Sequence, residues 1–371
     1  MRTNSYFRIV ISILLFSSLI FPQKHEIHSI SGKILDKVSK KPIPYVNVFL
    51  DATTLGASTN NDGVYSIENI PKGSYKIIIS AIGYESINEY IFLKDGLVIN
   101  RDYDLTPTVY KLQEVSVVAE KDDKWASNFS LFKREFLGTS EFANDCKIIN
   151  PEVINFINDK DAKLKVIPSS PIELNNYALG YKVYFEIKDF VLYKNREFNY
   201  LGNIRFVELE PISEEQKQKW IKNRRNNFKG SFKHFLIALS ENKLEQNSFL
   251  IYSVFEPNWD NLRRRNFLSP KVSEITKNIS RMENEMEFFN SLMVVYEDWE
   301  EKGFQKYRNL MGSNIYKTLR FQTSWITLPF SSATFDINGN LVDDYSKIKL
   351  FGYWAWLRVA NLLPNNYINS E

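Results

Sequence analysis

From Ile27 to Ala119 the chain is written in short runs of period two, each closed by turn-forming residues. Side chains on a strand alternate between faces, so such runs bury one face and leave the other wet. Ile27–Leu35 is a first strand. Tyr45–Leu50 sets Val46, Val48 and Leu50 against Tyr45, Asn47 and Phe49. Val64–Ile70 follows the turn Asn60-Asn61-Asp62-Gly63, where Gly63 can take the positive φ that closes a hairpin. Ser74–Ile82 places Tyr75, Ile77, Ile79 and Ala81 on one face, and further runs are Glu85–Leu93, Leu97–Leu105 and Leu112–Ala119. About seven strands at this turn spacing, with no helical period between them, predict an all-β antiparallel sandwich over 27–119.

The residues at the turns carry a resemblance. Ser31-Gly32-Lys33-Ile34-Leu35-Asp36, Lys41-Pro42-Ile43-Pro44-Tyr45-Val46-Asn47-Val48, Ser58 through Ile67, Ile70-Pro71-Lys72-Gly73-Ser74-Tyr75 and Ile82-Gly83-Tyr84 together resemble the carboxypeptidase-regulatory-like domain. The resemblance implies a transthyretin-like sandwich, which accompanies metallocarboxypeptidases and also precedes the plug of many TonB-dependent outer-membrane receptors. Leu112-Gln113-Glu114-Val115-Ser116-Val117 looks like the strand that leaves this domain in the receptor class. It implies a fold, and a fold by itself carries no function.

Ahead of the sandwich, Arg2 and Arg8 precede an apolar-or-Ser run from Ile9 to Phe21. A positive start followed by an apolar block is the layout of a secretory signal peptide, expected over 1–23. The run falls short of the ~20 residues a spanning helix needs, so the chain is expected to be exported to the periplasm or outer-membrane surface, peripheral at most. The one Cys, Cys146, allows no intramolecular disulfide. With 47 Lys+Arg against 44 Asp+Glu the formal charge is +3, too small to wrap nucleic acid.

Residues 121–371 read as a mixed α+β region. Trp125, Phe129, Phe132 and Phe136 fall at helical spacing in Asp122–Leu137. Asn150-Pro151-Glu152 reads as a helix start, and Ser213-Glu214-Glu215-Gln216 as a capping box. A helix over Ser231–Glu241 and a closing one over Gly352–Leu363, stopped by Pro364, are also expected. Strand-like runs lie at Lys163–Ile167, Tyr181–Leu192, Asn203–Leu209, Leu292–Glu297, Tyr316–Pro329 and Thr334–Val342. Phe136 through Ala143, Ala178 through Val183, Lys229 through Phe235 and Leu362-Leu363-Pro364 resemble uncharacterised exported envelope proteins that join this region to the same sandwich. About 220 residues of strand would be needed for a 22-stranded barrel, so no transport barrel fits here.

Catalytic constellations are sparse. A zinc carboxypeptidase needs closely spaced His or Glu ligands, and His25, His28 and His234 form no such motif, so no metal and no cofactor are expected. His25 and His28 read as a flexible tail. Cys146 and His234 would make a nucleophilic pair if folding joined them, although Cys146 lies among Phe142, Ile148 and Ile149 like a small buried hydrophobe. Asp336-Ile337-Asn338-Gly339-Asn340 lacks the length and closing Glu of a calcium loop and reads as a hairpin turn. Lys217, Lys219, Lys222, Arg224, Arg225, Lys229 and Lys233 crowd one helical region, and Arg263-Arg264-Arg265 follows Trp259. They read as a solvated face paired with the acids at 283–287 or 297–301, or, more sharply, as a surface for an anionic envelope partner. Trp259, Arg263, Arg264, Arg265, Arg224 and Arg225 are the candidate binding residues. The expectation is a non-catalytic exported protein acting in recognition or assembly through an envelope protein or polysaccharide. An envelope hydrolase with a site in 121–371, or an architectural spacer, are the alternatives.

Overall fold

The structure is a computed structural model that describes residues 28–94, 98–108, 123–157, 159–194, 198–257, 268–299, 303–306, 321–342 and 345–369. The signal segment, His25, the run Leu112–Ala119, Trp259 and Arg263–Arg265 lie outside the described residues.

The first domain has strands β1 (His28–Asp36), β2 (Asn47–Leu50), β3 (Gly56–Ser58), β4 (Val64–Ile70), β5 (Gly73–Ser80), β6 (Ile87–Leu93), β7 (Val98–Asn100) and β8 (Tyr103–Leu105). They form two packed sheets, β3-β2-β5-β6 and one in which β1 pairs β4, β7 and β8. The period-two pattern decides which face is inside. Ile30, Ile34, Val48, Leu50, Tyr65, Ile67, Tyr75, Ile77, Ile79 and Leu105 fill the space between the sheets, each nearly or fully buried. Burying one such aliphatic side chain contributes about 1.5–3 kcal/mol, which is how a domain without disulfides holds together.

Three features differ from the expected antiparallel layout. β1 pairs β7 and β8 in parallel, so its sheet is mixed. The run expected as one strand over Leu97–Leu105 is broken, because Arg101 N donates to Ser31 O at 2.8 Å and its carbonyl occupies the space a Cβ on Gly32 would need. The Gly63 turn also does not close a hairpin: β3 pairs β2 and β4 pairs β1, so the turn carries the chain between sheets. Asn60 organises it, with its carbonyl accepting from Gly63 N and its side-chain oxygen from Val64 N.

The α+β region holds two cores. In the first, β9 (Cys146–Ile148), β10 (Ile154–Ile157), β11 (Ala162–Pro168), β12 (Ile172–Asn176), β13 (Tyr181–Tyr193) and β14 (Phe198–Glu208) form one sheet around the long β13. Helix α1 (Asp123–Leu137) lays Phe132 and Phe136 edge-on against Phe190 and Phe185, as the aromatic spacing predicts. Pro151 starts only a 3-10 turn. The β-branched Ile154 and Ile157 that follow it enter β10 and pair with β11, so the expected helix gives way to a strand.

Helix α2 (Glu214–Phe228) leads into the second core, which gathers α3 (Phe232–Ser240), β15 (Phe249–Val254), the pair β16 (Thr276–Asn278) and β17 (Glu283–Glu287) through Met286 of β17, and β18 (Ser291–Trp299), β19 (Phe321–Thr327), β20 (Ser332–Asp336) and β21 (Lys349–Gly352). Ser213 caps α2 by accepting from Gln216 N at 3.2 Å, while Gln216 reaches back to Ile212 N rather than to Ser213 N. The closing helix is one turn, Tyr353–Trp356, whose Trp354 and Trp356 are buried.

The domains meet along the outer edge of β14. Ala52 N donates to Ile204 O at 2.7 Å and Phe206 N to Thr53 O at 3.0 Å, while Asp51 Oδ1 accepts from Ile204 N at 2.8 Å. From the other side Asn365 N donates to Ala52 O, and Asn366 exchanges bonds with Thr54 N and Thr54 Oγ1. On the flank, Asn203 reaches Asn88 at 3.4 Å.

Gly63 sits at φ +72°, and a Cβ there would meet Ile34 O at 2.6 Å. Replacing it by Val is expected to lower stability by about 1–3 kcal/mol through strain at a left-handed position. Denaturant unfolding of Gly63→Val beside wild type checks this, and equal midpoints would refute the turn's role.

Candidate functional site

Beyond the β14 edge, the seam has a second set of contacts built on the turn after β20. The turn is the hairpin expected from Asn338-Gly339, closed by Gly339 N on Asp336 O at 3.0 Å, with Gly339 at φ +73°. Asp336 is fully buried. Its Oδ1 accepts from Asn338 N and Asn340 N, both at 2.9 Å, and its Oδ2 from Asn340 Nδ2 at 3.2 Å and, across the seam, Ser74 N at 3.5 Å. Burial raises its pKa, and those donors pull the other way. Asn338 Nδ2 donates to Lys72 O at 2.8 Å and Ser74 Oγ to Glu283 Oε1 at 3.0 Å. A cavity of about 240 Å³ opens beside them, lined by Ser74, Phe92 and Lys94 of the sandwich and by Ser280, Met282 and Glu283.

Lys233, on α3, completes the seam. Its ammonium donates to Asn365 O, the residue whose N–H holds Ala52, so one lysine supports the tail that supports the sandwich. Burial pulls its pKa down to about 8, with Asp336 acting in the opposite direction. Perturbed carboxylate and amine groups in a cleft are what acid–base sites are made of. Here both are engaged in structural hydrogen bonds, Asp336 with donors on both oxygens. The pair works as a latch. Among the described residues no group of three or more His, Cys, Asp and Glu is placed to hold a metal.

The residues singled out in the sequence are dispersed. Cys146 is buried on β9 in the first α+β core, where burial and Asp145 push its thiol up to about 12. His234 packs against Phe228, Phe249 and Tyr296 of the other core. Its Nδ1 accepts from Gly230 N, leaving the Nε2 hydrogen for Asn247 Oδ1, and burial lowers its pKa. The possible Cys146–His234 pair is therefore not formed. His28 is not in a tail: it is fully buried in β1, with its ring nitrogens against Ile70 O and Lys94 O.

The basic residues of α2 divide by face. Arg224 points inward, donating to Leu179 O at 2.7 Å and Gly180 O at 3.2 Å, with its guanidinium 4.0 Å over the Tyr181 ring. Trp220 and Asn223 hold the same turn through Tyr177 O and Ala178 O. Lys219, Lys222 and Arg225 lie on the exposed face, each three residues apart, and Lys229 is exposed at the C-cap. The acids at 283–287 do not pair with them as expected, because this segment is strand β17 and Glu285 and Glu287 engage Lys277 at 2.8 and 3.1 Å. The seam itself is absent from the sequence reading. Asn338-Gly339 signalled the turn alone, and Ser74, Lys233 and Asn365 meet it through tertiary packing.

Residues 30–117 match the CarboxypepD_reg-like domain family, and this part of the chain is such a domain. A TonB-dependent receptor, P39, of Formosa agariphila is 34% identical over 116 residues, which cover 31% of this chain and 11% of the receptor. The chain thus spans a small fraction of that relative's length. Among solved structures, a DUF3823 family protein of Bacteroides ovatus aligns at 12% identity over 49% of this chain and 81% of its own, with a TM-score of 0.18. BcpA, the major pilin subunit of Bacillus cereus, aligns at 11% over 49% of this chain and 69% of its own, at 0.20. Likenesses at that level carry no argument.

Two measurements test the latch and the thiol. Lys233 binds its proton less tightly folded than unfolded, so its burden on stability is greatest below about pH 8 and falls as pH rises from there towards the unfolded pKa. Wild-type stability should therefore gain relative to Lys233→Met between pH 7 and 10, by on the order of 1–3 kcal/mol in denaturant titrations. A constant difference would contradict this. Native Cys146 is expected to resist alkylation near neutral pH and to react once the protein is unfolded in urea, followed by mass spectrometry.

Proposed function

We propose that this chain is a non-catalytic exported envelope protein acting in recognition or assembly, with the sandwich as its intramolecular adaptor and the outer face of α2 as its contact surface. The observation that carries the reading is the docking of Asp51–Thr54 onto β14, which fixes the sandwich to the α+β region by backbone hydrogen bonds. A domain tied down this way is a mount for the rest of the chain. The similarity to a TonB-dependent receptor supports an outer-membrane setting. The hydrolase alternative is weakened where it was most specific, because Cys146 is a buried, unactivated thiol far into another core from His234.

The exposed Lys219, Lys222, Arg225 and Lys229 supply the chemistry of contact. Three cations on one helix face with a fourth at its C-terminal cap favour an acidic protein surface or an acidic polysaccharide, and such contacts govern association rate and specificity more than raw affinity. Arg224 and Lys233 of the basic cluster are unsuited to the role, since the guanidinium is committed to the Tyr177–Tyr181 turn and the buried ammonium to Asn365 O.

The test is capture from native cell envelopes with the tagged, exported protein under mild cross-linking, identifying retained proteins and glycans. A reproducible partner is expected, reduced roughly tenfold by Lys222→Glu with Lys229→Glu in proportion to the lost steering charge. Retention of neither class by wild type would overturn the reading in favour of a hydrolase screen.

A further inference from the structure

The sandwich is docked by one end, and its other end carries exposed apolar groups. β2 leads from Asn47 towards the docked segment Asp51–Thr54, and β5 starts beside Ser74 at the seam. Asn47 pairs with Ser80, so the free end of the domain lies at the start of β2 and the end of β5. Tyr84 Oη donates to Asp36 Oδ2 at 3.0 Å, which brings the end of β1 to the same place. Three loops therefore share this end, and each exposes a large apolar residue: Val38 at 80%, Tyr45 at 74% and Ile82 at 100% of full accessibility.

These side chains are held out by built loops. Asp36 Oδ1 accepts from Val38 N and Ser39 N at 2.9 and 2.6 Å, fixing the first loop. Gly83 O accepts from Thr108 N, Thr106 O from Glu85 N and Leu105 O from Lys37 N, so residues 105–108 clamp the Val38 and Ile82 loops together. Tyr45 stands at φ +60°, a conformation costly for a bulky side chain, yet its ring is largely in solvent. Lys37, Lys40 and Lys41 are exposed around them. Of the nearby acids, Asp36 is taken up by its loop and Tyr84, Asp104 pairs with Lys40 at 2.7 Å, and Glu85 and Asp62, the latter next to the Asn61 that accepts from Tyr45 Oη, are open.

From this juxtaposition we propose that the free end of the sandwich is a membrane-docking surface, with Val38, Tyr45 and Ile82 entering the headgroup region and Lys37 and Lys41 meeting anionic lipid phosphates. Exposed apolar side chains carried on three separate loops suit a fluid partner, which fits around each one without a complementary shape. Tyr is at home at that boundary, with its ring in the apolar layer and its hydroxyl in the polar one. The exposed lysines of the Val38 loop add attraction to anionic lipid that falls with salt. Docking this end would leave the α+β region, held at the other end, facing away from the bilayer. The assignment stands apart from what α2 contacts.

The test is co-sedimentation of the full chain with phosphatidylcholine vesicles, alone or with about a third phosphatidylglycerol. Partition is expected for both and stronger for the anionic vesicles, with only the added strength lost at high salt. Ile82→Ser with Val38→Ser should weaken partition roughly fivefold or more on both, and Lys37→Glu with Lys41→Glu should remove only the anionic preference. Ile82 and Val38 touch little, so unchanged melting of the variant separates loss of docking from loss of fold. Absence of partition, or variants that bind as wild type, would overturn the proposal. Vesicles ignored while a soluble envelope protein is bound and lost with Ile82→Ser would equally overturn it, making this end a protein contact.

Discussion

The bond pattern between Asp51–Thr53 and Ile204–Phe206 governs how this molecule is put together. A long strand such as β14 has one edge satisfied by β13 and another whose N–H and C=O groups need partners. The sandwich supplies them with backbone and one carboxylate: Ala52 N, Thr53 O and Asp51 Oδ1. Backbone pairing depends on position along the chain more than on side-chain identity, so no motif in either segment announces it. It also fixes direction. Once these residues lie along β14, the start of β5 must face β17 and β20, and the opposite loops must face away from the α+β region.

The second contact set explains two buried ionisable groups that would otherwise be a cost. Burying Asp336 is tolerable only with its oxygens occupied, and the turn that follows it provides most of the donors. Ser74 N adds the bond that makes this carboxylate an inter-domain contact. Lys233 is held by Asn365 O, and the same peptide segment then donates to Ala52 O. The tail after Pro364 is thus a strap between α3 and the sandwich. Removing one partner from such a network leaves its mate buried and unsatisfied, which is worse than never having had the network.

Much of the sandwich was legible because its information is local. Strand β4 falls on Val64–Ile70 as the alternation predicts, and the Val46-Val48-Leu50 and Tyr75-Ile77-Ile79 faces are the ones buried. What escaped was non-local: the parallel pairing of β1 and the break opposite Gly32 depend on where Arg101 returns. In the α+β region, α1 announced itself through its aromatic stripe, while Pro151 misled because a good first helical residue was followed by residues that pair better as strand. The acids at 283–287 misled similarly, since Asn284 and Met286 alternate inward and charge alone does not reveal a strand. The candidate site was the least legible part, as Ser74, Lys233, Asp336 and Asn365 come from four separate stretches.

Helix α2 shows why charge clusters need a structure before they mean anything. In sequence Arg224 and Arg225 are neighbours and look equivalent. A helix turns ~100° per residue, so one step separates a guanidinium stacked on Tyr181 from one on the exposed face. The inward residues, Trp220, Asn223 and Arg224, hold the carbonyls of Tyr177, Ala178 and Leu179, while Gly180 O also accepts from Leu209 N. The outward lysines are then presented on a helix that those bonds make rigid. Structural and solvent-facing residues are thus divided by angle within one element, and the same division recurs in the sandwich, where one end is bound to β14 and the other is left exposed.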